Sequence, residues 1–244
     1  MINFNKKILA IGLAATMMTC GIAACKTAQA DTKTPESAIN GDAAAEAVNQ
    51  ISGLLGGWTF KDDTTLTPET QKIFDEAAAR VNGCFYKPLM LLGTQVVSGQ
   101  NYCFLCKSTL GAKDRQDDYA LCFVYVNGSG EAKFLKDDKI VLPGTDKGGP
   151  DLVGGWVYSE VPDIDDELRE KIESTTDRML GSNIKPVALI GTQVVAGANY
   201  AVLCRVSAVA TGTAGAKQYK LITFNVDPSG NMTMGEVTDI QMGI

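Results

Sequence analysis

The sequence predicts an α+β fold of two tandem units, each one helix packed on a four- to five-stranded antiparallel sheet. Three observations lead there. First, Gly93-Thr94-Gln95-Val96-Val97-Ser98-Gly99-Gln100-Asn101-Tyr102 returns 98 residues later as Gly191-Thr192-Gln193-Val194-Val195-Ala196-Gly197-Ala198-Asn199-Tyr200. The same offset links Gly56-Gly57-Trp58 to Gly154-Gly155-Trp156, Lys87-Pro88 to Lys185-Pro186 and Cys106 to Cys204, which marks a tandem duplication. Second, each copy has one stretch of helical periodicity near its start. Third, four strand-like runs separated by turn residues follow each helix, so the helix can lie across an antiparallel meander.

Residues 1–30 read as an export segment. Lys6 and Lys7 form a charged start, and the apolar run from Ile8 to about Ala15 is too short to span a bilayer. Two processing sites compete: Ile22-Ala23-Ala24-Cys25 has the form of a bacterial lipobox with Cys25 as the lipidated residue, and Ala28-Gln29-Ala30 is an A-x-A site. Either places the protein outside the cytoplasm, as an envelope lipoprotein or as a secreted or periplasmic protein. Residues 31–53, rich in Ala, Thr, Asp and Asn, read as a tether with a short helix over 43–51 as the alternative.

The first unit spans 54–143. Thr67-Pro68-Glu69 opens its helix with a capping hydroxyl, a proline at the first helical position and an acid in the first turn. Ile73, Phe74, Ala77, Ala78 and Val81 share one face, and Gly83 supplies the stop. Strands are expected at 88–92, 101–108, 119–126 and 132–141, with turns at 98–99, 111–118 and 127–130. Residues 144–150 are a linker crowded with Gly and Pro. The second unit, 151–244, repeats the order: Asp165 caps, Leu168, Ile172, Thr176 and Met179 form the stripe, and strands follow at 187–190, 199–208, 219–226 and 232–240. With its own helix, strands and apolar set, each unit is expected to fold alone.

These motifs resemble cystatins, and the intracellular stefin branch in particular. Gln95-Val96-Val97-Ser98-Gly99 and Gln193-Val194-Val195-Ala196-Gly197 match that family's Q-x-V-x-G at every defined position, and the helix start at Thr67 is similar as well. The resemblance covers both units. It implies a helix wrapped by an antiparallel sheet, with a hairpin tip that enters the active-site cleft of papain-like cysteine proteases. It also implies that Leu54-Leu55-Gly56-Gly57 and Leu152-Val153-Gly154-Gly155 form a trunk whose aliphatic side chains fill substrate pockets; on the residues alone, packing against the domain itself stays open. The family's third element, an apolar pair in the last hairpin, is replaced here by Asn127-Gly128-Ser129-Gly130 and Asp227-Pro228-Ser229-Gly230. The implied function is reversible, non-covalent inhibition of a papain-like protease by a monomeric protein. The other class in play is a protein- or carbohydrate-binding module that inhibits nothing.

Composition bears on what remains. The chain is 45% apolar and 20% charged, as globular proteins are, and its net charge is −6. Without Lys6 and Lys7, 20 basic groups face 28 acidic ones, or −8, which argues against nucleic acid and leaves the membrane only a lipid anchor as a route. There is no histidine, so a cysteine has no imidazole to make it a thiolate, and no enzymatic activity, cofactor or metal site is expected. Cys103 and Cys106 have metal-like spacing, but on a strand they point to opposite faces. Cys106 and Cys204 are expected to face their helices. Cys103 and Cys122 stand nearly opposite if the 111–118 loop closes symmetrically, which admits a cross-strand disulfide or two reduced core thiols, while Cys84 has no mate.

Overall fold

The computed structural model describes residues 56–110, 117–144, 154–179, 181–210 and 213–244. The export segment with Cys25, the tether and its expected helix, the linker from 145 onward, and Leu54, Leu55, Leu152 and Val153 lie outside the described residues. The first repeat forms β1 (Trp58–Phe60), α1 (Pro68–Ala78), β2 (Cys84–Val97), β3 (Gly99–Leu110), β4 (Asp118–Asn127) and β5 (Ala132–Lys139). The second forms β6 (Trp156–Tyr158), α2 (Asp166–Thr176), β7 (Ser182–Val195), β8 (Gly197–Ala210), β9 (Thr213–Val226) and β10 (Met232–Ile240). Each repeat makes one antiparallel sheet in chain order, β1-β2-β3-β4-β5 and β6-β7-β8-β9-β10.

Both helices start where their caps dictate. The Thr67 hydroxyl accepts from the Thr70 backbone N–H while the Thr70 hydroxyl takes the Thr67 N–H, a reciprocal capping box. Asp165 accepts from Leu168 N at 2.7 Å. α1 stops at Ala78, short of the expected Gly83, and that glycine instead bends the chain into β2. β2 begins at Cys84 and contains Pro88, which a regular ladder would reject because it has no N–H. A register shift between Pro88 and Met90 absorbs it, and Pro186 repeats the device before Ala188.

The central strands bury both faces. On one face of the first sheet, Phe104, Cys106, Cys122 and Val124 pack on Phe74 and Ala77 of α1. On one face of the second, Val202, Cys204, Ile222 and Phe224 pack on Leu168 and Ile172 of α2. The alternate residues, Cys103, Leu105, Leu121 and Phe123 from the first sheet with Ala201, Leu203, Tyr219 and Leu221 from the second, belong to one buried cluster shared by both sheets. Two helices of 11 residues thus flank two five-stranded sheets that close on each other. This corrects the expected α+β tandem of cystatin-like helix-on-sheet domains: the chain is mostly β, and its largest core lies between sheets. The physical reason is that an 11-residue helix covers one face of a sheet, and these strands are apolar on two.

The contacts across this core obey a pseudo-two-fold relation. Tyr119 Oη donates to Ser159 O at 3.0 Å, and Tyr219 Oη donates to Leu92 O at 3.1 Å. Lys107 Nζ reaches Glu160 O at 2.9 Å; Arg205, its counterpart, donates to Lys61 O and pairs with Asp62 at 2.8 Å. The glycine that opens each repeated motif is a socket for the other repeat: a Cβ on Gly93 would press on Met242, and one on Gly191 would strike Leu142. Leu142 and Met242 follow the ends of β5 and β10 remote from the β2–β3 and β7–β8 tips, whereas Gly93 and Gly191 lie near those tips. Each sheet's far end therefore covers the other's near end, and the two tips point in opposite directions.

Candidate functional site

The repeated motif forms the turn of a tight hairpin. In the first repeat Val97 pairs with Gly99, so Ser98 alone makes the tip; in the second, Val195 pairs with Gly197 around Ala196. Glycine is required there because the hairpin presses on the neighbouring strand. An added Cβ on Gly99 would run into Val126 O and the Tyr125 ring, and one on Gly197, at φ +110°, into Val226 O. The valines before the tips are open to solvent: Val96 is 43% exposed and Val97 42%, Val194 77% and Val195 41%. These two apolar pairs stand at the ends of β2 and β7, whose middle residues are buried or half-buried.

The glutamine of each motif points sideways and binds the trunk. Gln95 Nε2 donates to Gly56 O at 2.6 Å while its Oε1 accepts from Asn101 Nδ2 at 2.7 Å. The second repeat copies this, with Gln193 Nε2 to Gly154 O at 2.7 Å and Asn199 Nδ2 to Gln193 Oε1 at 2.6 Å. Pairing of Trp58 with Gln95 and of Trp156 with Gln193 fixes the trunk glycines beside the hairpin. Trp58 itself turns inward, edge-on to Phe123 at 5.9 Å. The expected trunk residues Gly56, Gly57, Gly154 and Gly155 thus meet the expected tip residues at one end of each sheet.

Asn101, Asn199 and Tyr125 are part of the site although the sequence assigned them no role. The signal for the asparagines was the Asn-Tyr that ends the repeated segment, since an amide withdrawn from solvent must be satisfied and Asn101 is only 6% exposed; Tyr125 lies outside that segment and left none. The two tips are braced differently. Tyr125 Oη donates to Ser98 O at 3.0 Å, tying the first tip to β4. At the matching place Asn225 donates to Asn199 Oδ1 at 2.6 Å and leaves the Ala196 carbonyl without that tie.

The third element at this end is polar. Asn127 Oδ1 accepts from the N–H groups of Ser129 and Glu131, at 3.0 and 2.9 Å. Asp227 repeats this with Asn231, whose side-chain and backbone N–H groups hold the Asp227 carboxyl below the usual range.

Of the five cysteines among the described residues, four are buried and Cys84 is half-buried. Of the two alternatives for Cys103 and Cys122, a cross-strand disulfide or two reduced core thiols, the structure has the second: Cys103 stands opposite Phe123 and Cys122 opposite Phe104. One residue of register puts Cys103 on the inter-sheet face and Cys122 on the helix face, and both are free thiols. Cys106 and Cys204 face their helices, as expected. Burial pushes the Cys103 and Cys106 thiols well up and the Cys204 thiol up to about 12, away from the thiolate. Among the described residues no cluster of metal-ligating side chains occurs, and no helix is long and apolar enough to cross a membrane. No protein-family model matches the chain, and no curated protein matches it in sequence.

Proposed function

We propose that this protein is an exported, reversible, non-covalent inhibitor of papain-like cysteine proteases, each repeat offering a tip and a trunk to an active-site cleft. The observation that carries the reading is the bridge from Gln95 to Gly56 O, repeated from Gln193 to Gly154 O. It holds the trunk glycine beside the apolar-tipped hairpin before any partner arrives, which lowers the ordering cost of binding there. The exposed valine pairs supply the apolar contact, and Leu54-Leu55 and Leu152-Val153 continue each trunk in sequence. Inhibition then works by occupancy and needs no catalytic group. The polar turns at 127–131 and 227–231 favour a second reading, a binding module for a flatter or more polar partner.

The test is a titration against papain with a fluorogenic substrate, run on wild type and on Val97→Asp with Val195→Asp. Both valines are solvent-facing, so melting should stay near wild type. In a cleft each aspartate would be a desolvated, unpaired charge. Inhibition should weaken by at least about a hundredfold, roughly 2.7 kcal/mol at about 1.4 per decade. Absence of inhibition by micromolar wild type would transfer the argument to the binding module.

A further inference from the structure

We infer that the protein is ditopic: it holds two protease molecules at once, one at each end of the sandwich. This rests on the inhibitor reading and adds its stoichiometry and geometry. Tandem sites on a chain often share one face, where a large partner at the first excludes a partner at the second. Here the pseudo-two-fold relation forbids that arrangement. Phe60 and Tyr219 rings pack at 5.4 Å and Tyr219 Oη meets Leu92 O, so the levels of Leu92 and Tyr219 coincide across the core. Tyr219 pairs with Arg205 in the second sheet. Six residues separate Leu92 from Ser98, and nine separate Arg205 from Ala196 in the opposite direction. At about 3.3 Å per residue the two tips stand about 50 Å apart before strand twist shortens the span. Tyr119, which pairs with Lys107 and meets Ser159 O, gives the same spacing from the other side.

A globular enzyme of about 200 residues has a radius of gyration of about 16 Å and so an outer radius of about 21 Å. Two such bodies, each seated beyond its own tip and facing away from the other, do not touch. The sites are also mechanically separate, because the inter-sheet core lies between them. They are unequal, however: Ser98 is tied down by Tyr125 and Ala196 lacks that tie, with Val194 the more exposed valine. Two binding steps of different affinity should follow, with the braced first tip the tighter because less of it must be ordered on binding.

The experiment is calorimetric titration of the full exported chain with papain, backed by the mass of the complex from light scattering. Wild type should bind two papain molecules, and Val97→Asp and Val195→Asp singly should each bind one. The Val97→Asp protein should keep the weaker step and Val195→Asp the stronger. Thermal melting near wild type for each variant shows that a lost step is a lost contact. A wild-type complex of one papain per chain, while inhibition persists and either single variant still binds one, would overturn the ditopic arrangement and leave the inhibitor reading intact. Absence of any complex would overturn both.

Discussion

Each repeat looks self-contained in sequence, but because the inner faces of both form one core, a single repeat should not survive on its own as a monomer. Cutting the chain at the linker and producing residues 54–143 exposes the inner face of the first sheet, where Leu92, Leu105, Tyr119, Leu121, Phe123 and Leu142 are all almost wholly buried. Burying a side chain of this kind contributes about 1.5–3 kcal/mol. If in-sheet neighbours retain half of that, six residues still lose about 5–9 kcal/mol. A repeat of this size, at about 0.05–0.15 kcal/mol per residue, has a total stability of about 5–13 kcal/mol. Tyr119 also loses Ser159 O, its acceptor, and Lys107 loses Glu160 O. The loss is therefore comparable to the whole, and the isolated repeat should either unfold or pair with a second copy of itself. Circular dichroism melting with light scattering over a tenfold concentration range separates these outcomes. A monomeric repeat with a cooperative, concentration-independent transition would refute the shared-core argument.

Three further outcomes follow from individual contacts. Gln95→Leu should free the Gly56 trunk and leave Asn101 Nδ2 without its acceptor; we expect a loss of about 1–3 kcal/mol in stability and faster hydrogen exchange around Trp58, read by mass spectrometry. Burial holds the Tyr119 and Tyr158 phenols up at about 12 and raises Tyr219 further, so their contribution is complete below the unfolded value near 10 and is lost as pH rises through the folded values. Melting between pH 10 and 12 should therefore fall more steeply in wild type than in a triple Tyr→Phe variant, and equal slopes would contradict the assignment. Thiol titration of the native protein should find Cys103, Cys106, Cys122 and Cys204 slow and all four reactive in denaturant; four non-reactive thiols under denaturing, non-reducing conditions would mean disulfides after all.

The repeat, the helix caps and the hairpin tips were legible because each is written in local chemistry: a hydroxyl three residues before a backbone N–H, a glycine where another strand presses in. The trunk strand was not, since three residues such as Trp58–Phe60 carry too little periodicity to show, and its anchor is a side chain 39 positions away. The shared core did leave a trace. Cys103 to Cys106 and Leu121 to Val124 are continuous apolar runs, whereas a sheet with one wet face should alternate. Gly93 and Gly191 were a second trace, since a glycine within a strand signals that something approaches closely. The choice between a Cys103–Cys122 disulfide and two reduced thiols turned on parity: a shift of a single residue between β3 and β4 exchanges every face, and sequence spacing across a loop does not fix that count.

The duplication has a consequence for how the two halves can change. In a symmetric pair of separate subunits, any substitution appears in both, and the interface forms only above some concentration. Joined in one chain, the second half meets the first at an effective concentration in the millimolar range however dilute the protein is. The joint also lifts the demand that both faces be identical. Lys107 has become Arg205 across the same seam, and Tyr125 has become Asn225 beside the tip, without either half having to match itself. One half can therefore vary at a position while its counterpart in the other half stays as it is.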